Sequence, residues 1–178
     1  MPSLSRALAR VDVRTVGDGN MGARNVTHVL GWWPGIAVAV ADFCKGALSI
    51  LLARALDLPL EWQLVTGACV VLGHDFPVFA GLRGGQALAA TIGVMFALLP
   101  TETAGALVLF GLIYLTTHRF SLSAGVGMAA LPALGVTAGL PTVTLAYVAA
   151  LFLTVPAKTA LDQPRRRRIR EDLAPPPQ

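Results

Sequence analysis

The stretch VLGHDFPVFAGLRGGQALAA, residues 71–90, interrupts a hydrophobic chain with polar groups. An apolar run stops at Gly73-His74-Asp75, resumes briefly, and ends in a glycine-rich basic loop at residues 81–85. Polar and ionisable groups are unfavourable within a membrane unless they have a function or a partner. We therefore expect a site here, with the other apolar segments acting as its scaffold.

The composition is that of a membrane protein. Hydrophobic residues make up 54% and charged residues 13% of the 178 residues, whereas about 25% of the residues in a soluble domain are charged. The mean hydropathy is +0.65. The formal charge of +4 is better explained by membrane topology than by a nucleic-acid surface, so we expect no nucleic-acid partner. Cys44 and Cys69 lie inside apolar runs, and no Cys/His spacing indicates a metal site or a cofactor.

Apolar segments separated by polar turns predict an all-α fold, a polytopic membrane helix bundle of about six transmembrane helices. A helix of about 20 residues crosses the hydrocarbon core of a bilayer. The third segment is short for a span. The predicted segments are residues 35–56, 63–79, 86–99, 103–117, 121–140 and 141–157.

The two ends of the chain differ from the predicted membrane domain of residues 17–158. Residues 1–16 form a basic lead, which we expect at the membrane surface. Residues 159–178 form a basic, proline-rich cytoplasmic tail that contains Arg165–Arg168. From Lys158 onward we expect the chain to be disordered or surface-bound.

The positions of the basic residues predict the orientation. If both termini are cytoplasmic, all of the 14 Lys and Arg residues except Lys45 and Arg54 fall on the cytoplasmic side. The outer turns then carry only acidic charges, as the positive-inside rule favours. The same arrangement brings the loops at residues 17–25, 81–85 and 118–119 to one membrane face. We therefore expect one cytoplasmic site built from three loops.

Anion binding is the chemistry that these loops indicate. Glycine-rich loops leading into helices present backbone N–H groups, and arginine adds charge-assisted hydrogen bonds to a phosphate. Each signal also has a simpler explanation, such as a capped turn at residues 17–25, a topology determinant at Arg83 or a helix cap at His74. The candidate substrate or phosphate ligands are Asn20, Gly22, Arg24, Asn25, Lys45, His74, Arg83, Gly84 and Gly85, and no catalytic residue is assigned.

Asp42 and Lys45 lie inside the first apolar segment. Their spacing of three residues puts both side chains on one face of a helix. Charges of opposite sign within a membrane pair with each other or line a polar cavity. The sequence leaves open whether this polar pair is structural or functional.

Four stretches together resemble the acyl-phosphate:glycerol-3-phosphate acyltransferases of the PlsY type. GDGNMGARNV, residues 17–26, is similar to that family's GSGNxGATNV, and ADFCKGALSILLA, residues 41–53, is similar to its D-x-x-K-G helix. LGHDFPVFAGLRGGQALAATIGV, residues 72–94, resembles GHxFPVFxxFKGGKGVATxxGV. HRFSLSAGVG, residues 118–127, is similar to the segment that follows two helices later.

The resemblance implies a multi-pass enzyme of the bacterial inner membrane, in a family that has seven helices. Its members transfer a fatty acyl group from acyl phosphate to the 1-hydroxyl of glycerol 3-phosphate, the first acylation in phospholipid synthesis. The implied partners are these two substrates and membrane lipids, with no cofactor; monomer and oligomer both stay open. Asp18 and Gln86 stand where the family has serine and lysine. A catalytically degenerate homologue that binds lipid or a partner protein is therefore the alternative.

Overall fold

The protein is all-helical over residues 12–173, the part of the chain that this computed structural model describes. No strand occurs in that range, so the predicted helix bundle is confirmed. The helices are α1 (Ala23–Leu30), α2 (Trp32–Ala55), α3 (Leu60–Asp75), α4 (Leu88–Leu98), α5 (Pro100–Thr117), α6 (Phe120–Thr137) and α7 (Thr142–Leu173), with a short 3₁₀ turn at Val78–Ala80.

Not every predicted span is a membrane-crossing helix by length and composition. α4 has 11 residues, a length of about 17 Å, against a hydrocarbon core of about 30 Å. α5 has 18 residues but begins with polar ones, including Glu102. Within the described chain, the segments long and apolar enough to cross a membrane are Trp32–Ala55, Leu60–Ala80, Phe120–Thr137 and Thr142–Ile169.

The short helix α4 forms the centre of the bundle. Its residues Ala90, Thr91, Val94 and Met95 are completely buried. Helices α2, α3, α5 and α7 all contact it. A helix too short to span is tolerated at membrane depth here because protein, rather than lipid, surrounds it.

α2 and α4 cross at two glycines. A Cβ atom on Gly46 would lie 3.0 Å from the backbone of Ala90 and of Val94, and one on Gly93 would lie 2.9 Å from the carbonyl carbon of Phe43. Lipid tails provide no hydrophobic force between helices, so close approach at small residues supplies the packing energy. This crossing fixes the polar face of α2 relative to the start of α4.

α7 is one helix of 32 residues that continues through Pro156 and Pro164. The expected disorder beyond Lys158 is therefore wrong as far as Leu173, and Lys158 itself is only 4% exposed. Tertiary contacts explain the difference, because Arg165 bonds to the backbone of the first loop. The helix passes the predicted domain boundary at residue 158. The prediction for the basic lead falls mostly outside the described residues.

Candidate functional site

The first loop, residues 12–22, is organised by the amide of Asn25 in the first turn of α1, which is 1% exposed. Its Nδ2 donates to the carbonyl oxygens of Val13, Val16 and Asn20 at 2.9, 3.2 and 2.9 Å. Its Oδ1 accepts from the backbone N–H of Asp18 at 2.7 Å. Every polar atom of this side chain is engaged, so we infer that Asn25 shapes the loop instead of binding a ligand.

Asn20 and the loop glycines also stabilise the backbone. Gly17 and Gly19 have φ of +62° and +63°, a left-handed conformation that glycine adopts without strain. Asn20 Oδ1 accepts from the N–H of Gly22 at 3.0 Å. The candidate ligands Asn20 and Gly22 thus bond to each other, and their first role is to hold the loop.

Arg24 connects the first loop to the third. Its side chain is exposed, and the guanidinium carbon lies 5.7 Å from the ring centroid of Phe120. Phe120 directly follows the predicted loop at residues 118–119. A cation over an aromatic ring is attracted by the ring quadrupole, so this contact brings together two loops that are far apart in sequence.

Asp42, Lys45 and His74 form a three-membered polar cluster between α2 and the end of α3. Lys45 Nζ donates to Asp42 Oδ1 at 2.7 Å and also contacts His74 Nδ1. His74 Nδ1 lies 3.5 Å from Asp42 Oδ1. Because an ammonium only donates, Nδ1 accepts in the Lys45 contact, which assigns the imidazole proton to Nε2. The structure therefore adds His74 to the pair that the sequence spacing indicated.

The glycines at residues 84 and 85 pack directly on the end of α3. A Cβ atom on Gly85 would overlap His74 Nε2 and lie 2.9 Å from Cδ2 of the same ring. A Cβ atom on Gly84 would lie 2.5 Å from Cδ of Pro77 and 2.7 Å from the carbonyl oxygen of Asp75. Only glycine fits at both positions, and this close contact holds the His74 ring beside Lys45.

Three backbone N–H groups of these loops bond to carbonyl oxygens of the protein itself. Gly84 N donates to the carbonyl oxygen of Asp75 and Gly85 N to that of His74, each at 3.2 Å. Gly19 N donates in the same way to a carbonyl oxygen within its own loop. The loops use these three donors to close their own turns, so these donors are not available to an anion.

Three arginines from separate segments line a polar cavity of about 290 Å³ beside the second loop. Arg14 forms a forked pair with Asp12, with N···O distances of 2.9–3.1 Å. This hydrogen bonding lowers the pKa of Asp12 and raises the pKa of Arg14. The other two arginines are Arg83, which is exposed, and Arg165. Only Arg83 was among the sequence candidates.

Helix α7 closes the site through three polar contacts. Gln86 Nε2 donates to Thr159 Oγ1 at 2.7 Å. Lys158 Nζ donates to Asp162 Oδ1 at 2.8 Å and lies 5.0 Å from the ring centroid of Phe76. Gln86 is therefore committed to the helix contact, and the ammonium of Lys158 is paired with Asp162 on the same helix.

Asp75 is a buried carboxyl group without a bonded partner. The residue is completely buried, and neither carboxylate oxygen has a hydrogen-bond partner within residues 12–173. Burial of a polar group without hydrogen bonds is unfavourable, so Asp75 reduces the stability of the fold.

An apolar cleft of about 110 Å³ lies between α4, α5, α6 and α7. It begins at Leu88, three residues after Gly85, and includes Phe120, the ring that Arg24 covers. The cleft therefore extends from the polar end of the bundle into its apolar interior. Its other lining residues include Ile92, Phe110, Met128 and Phe152.

The sequence did not indicate the contributions of Arg14, Arg165 and Thr159. Arg14 and Arg165 lay in segments assigned to the basic ends of the chain, where arginine usually reports topology. Their meeting with each other depends on a contact between residues about 150 positions apart. Among the described residues, no group of His, Cys, Asp and Glu side chains is arranged to hold a metal ion.

Comparison with known proteins finds one consistent group of relatives. A family model described as glycerol-3-phosphate acyltransferase matches residues 3–163. The glycerol-3-phosphate acyltransferase of Geobacter sulfurreducens is 40% identical over 129 residues, which cover 72% of this chain and 66% of the relative. Glycerol-3-phosphate acyltransferase 1 of Deinococcus radiodurans is 43% identical over 144 residues, which cover 80% of this chain and 71% of the relative. The match thus spans about two thirds of the length of these relatives.

Solved structures show the same fold. The chain superimposes on a crystal structure of PlsY (YgiH), an integral membrane glycerol 3-phosphate acyltransferase in its glycerol 3-phosphate form. The TM-score is 0.79 at 30% identity, with 89% of this chain and 80% of the other covered. The lysophosphatidic acid form of PlsY gives a TM-score of 0.73 at 28% identity.

Proposed function

Because the chain belongs to the glycerol-3-phosphate acyltransferase family, we propose that it transfers a fatty acyl group from acyl phosphate to glycerol 3-phosphate. Membership confirms the family and the enzyme class that the sequence motifs indicated. Nothing in the comparisons favours the alternative of a degenerate homologue. Acyl phosphate as the donor, and the residues that act, are the parts that we propose.

The observation that supports this proposal is that the Lys45 side chain stays partly exposed although two neighbouring side chains contact its ammonium. Its ammonium has three N–H donors, of which one bonds to Asp42 and one contacts His74. The side chain is still 39% exposed, compared with 15% for Asp42 and 10% for His74. Lys45 therefore offers one N–H donor of its ammonium to a ligand, while the two partners act as positioning residues.

The reaction needs no nucleophilic side chain, because acyl phosphate is already activated. The acceptor hydroxyl oxygen attacks the acyl carbonyl carbon, an ester C–O bond forms, and the bond to the phosphate oxygen breaks. The hydroxyl proton leaves with the phosphate as hydrogen phosphate. The protein contributes by bringing two charged substrates together and by stabilising the negative charge of the leaving phosphate.

The apolar cleft offers a place for part of the acyl chain of the donor. It starts next to the second loop at Leu88 and is lined almost entirely by apolar side chains. A chain placed there would keep its phosphate at the polar end of the bundle, near Lys45. Burial of each methylene group contributes about 0.8 kcal/mol, so the cleft would favour donors with long chains.

Purified full-length protein tests the proposal directly. Incubation with palmitoyl phosphate and labelled glycerol 3-phosphate should give labelled lysophosphatidate, and palmitoyl-CoA should not replace the donor. Lys45→Met should lose activity, whereas Arg54→Met, at the other end of α2, should keep it. Product no higher than that of a heat-killed sample would refute the function. Product from palmitoyl-CoA alone would refute the donor.

We propose the bacterial inner membrane as the location, with this end of the bundle facing the cytoplasm. The basic side chains of the second loop and of α7 gather at this end, as the positive-inside rule expects on the cytoplasmic side. An impermeant thiol reagent tests the orientation on a variant that carries Cys at Arg168. Labelling in inverted vesicles but not in intact cells supports it, and the reverse result contradicts it.

A further inference from the structure

The cavity lined by Arg14, Arg83 and Arg165, which we call the arginine cavity, has a surplus of positive charge. Asp12 neutralises Arg14 through their forked hydrogen bonds. Arg83 and Arg165 form no salt bridge with a carboxylate within the described residues 12–173. Two positive charges thus face a cavity of about 290 Å³. A phosphate monoester carries about two negative charges, which would balance the two positive charges of Arg83 and Arg165.

Arg165 is held in place for such a ligand. One terminal nitrogen, Nη2, donates to the carbonyl oxygens of Arg14 and Gly19 at 3.0 and 2.7 Å. Guanidinium has five N–H donors in a rigid fork, so those of Nε and Nη1 remain for other acceptors. A donor fixed in advance loses less entropy when a ligand binds.

The remaining walls leave room for an anion. Ala80 and Gly81 supply the part of the second loop that faces the cavity. A Cβ atom added to Gly81 would meet no atom within 4 Å. Arg83, on the same loop, is exposed, so its guanidinium can reach a ligand without rearrangement of the protein.

The proposed reaction requires positive groups that bind phosphate, because both of its substrates carry a phosphate group. Lys45 offers one ammonium, and the N–H groups of Gly84 and Gly85 are bonded to carbonyl oxygens. Gln86, which stands where the family motif has lysine, donates to Thr159. We propose that the arginine cavity binds the phosphate monoester group of a substrate. This assignment rests on the proposed function, and it adds Arg14 and Arg165 to the residues that recognise phosphate.

Direct binding separates this proposal from the proposed function, because it needs no turnover. Full-length protein is placed in phosphatidylcholine nanodiscs, and the affinities for inorganic phosphate and glycerol 3-phosphate are measured by calorimetry. Arg83→Gln removes an exposed side chain that forms no hydrogen bond within the described residues. Arg168→Gln is the matched control, because it makes the same charge change on α7 outside the cavity lining.

We expect Arg83→Gln to weaken binding about tenfold and the double variant with Arg165→Gln about a hundredfold, since a hydrogen bond to a charged group contributes about one decade of affinity. Arg168→Gln should change the affinity less than twofold. Melting temperatures show whether each variant is folded. Equal affinity in Arg83→Gln and Arg168→Gln, or no phosphate binding by the wild type, overturns the proposal.

Two further binding measurements identify whether the phosphate group belongs to a soluble molecule or to a lipid. Competition by glycerol 3-phosphate against inorganic phosphate supports the soluble acceptor as the ligand. Weakening of phosphate binding when phosphatidate replaces part of the phosphatidylcholine supports a lipid-borne group. If binding depends on the cavity but lysophosphatidate is never formed, the site stands and the proposed reaction fails.

Discussion

Gly85→Ala should inactivate the protein through His74. The new Cβ atom would overlap Nε2 and lie 2.9 and 3.0 Å from Cδ2 and Cε1 of the imidazole ring, where an ordinary contact is at least about 3.4 Å. The side chain of His74 is 10% exposed, so the ring has no open space to enter. We therefore expect His74 to shift by up to about 1 Å and to release its contact with Lys45.

A displacement of this size in a catalytic site lowers activity about a hundredfold. The assay is kcat/KM for acyl transfer from palmitoyl phosphate to glycerol 3-phosphate, with the melting temperature measured in parallel. Gly73→Ala is the control, because that glycine precedes His74 in α3 and its Cβ atom would meet nothing within 4 Å. Alanine inside a helix is more stable than glycine by about 1 kcal/mol, so this control should be active and slightly more stable.

A double variant separates the steric cause from other effects of the substitution. Gly85→Ala combined with His74→Ala removes the ring that the new methyl group would strike. The two substitutions should therefore be strongly non-additive in melting temperature, as expected for residues in contact. Wild-type kcat/KM in Gly85→Ala, or additive losses of stability in the double variant, would show that the packing of Gly85 on His74 does not position Lys45.

Four other substitutions give separate tests. Lys45→Met should lower kcat/KM about ten- to a hundredfold by removing one charge-assisted hydrogen bond to phosphate, with Arg54→Met unchanged by the same assay. Asn25→Ala should destabilise the fold by about 2–3 kcal/mol in denaturant titrations, because several backbone groups lose their partner; an unchanged midpoint would contradict the structural role of this amide. Asp75→Leu should raise the melting temperature, because it removes a buried carboxyl group that has no hydrogen-bond partner, and a lower melting temperature would point to a bonding partner. Met128→Trp should fill the apolar cleft and shift the donor preference toward shorter acyl chains; an unchanged preference would place the chain elsewhere.

The separation between loop-forming and ligand-binding residues came from the structure. Sequence reasoning treated Asn20, Gly22, Asn25, Gly84 and Gly85 as possible ligands, because their residue types can all contact phosphate. Hydrogen bonds and close packing commit these residues to the loops themselves. The positive side chains among the same candidates, those of Arg24, Lys45 and Arg83, stay candidates for binding an anion.

The sequence by itself determined the membrane environment, the all-helical class and the family. Hydrophobic composition is a property of the chain as a whole, and motifs such as GHDFPVF and D-x-x-K-G can be recognised without coordinates. The ion pair of Asp42 and Lys45 also followed from local spacing, since three residues along a helix bring side chains to one face.

Only the tertiary structure decided which distant residues meet. The contact of His74 with Lys45 depends on the packing of α3 against α2, and that of Arg165 with the first loop depends on α7 remaining helical past Pro164. Local pattern predicts neither, because proline and a run of arginines usually end a helix or mark a tail. The polar stretch at residues 73–85 was visible in the sequence. The side chains that contact it in the fold come from other parts of the chain, and the sequence did not indicate these contacts.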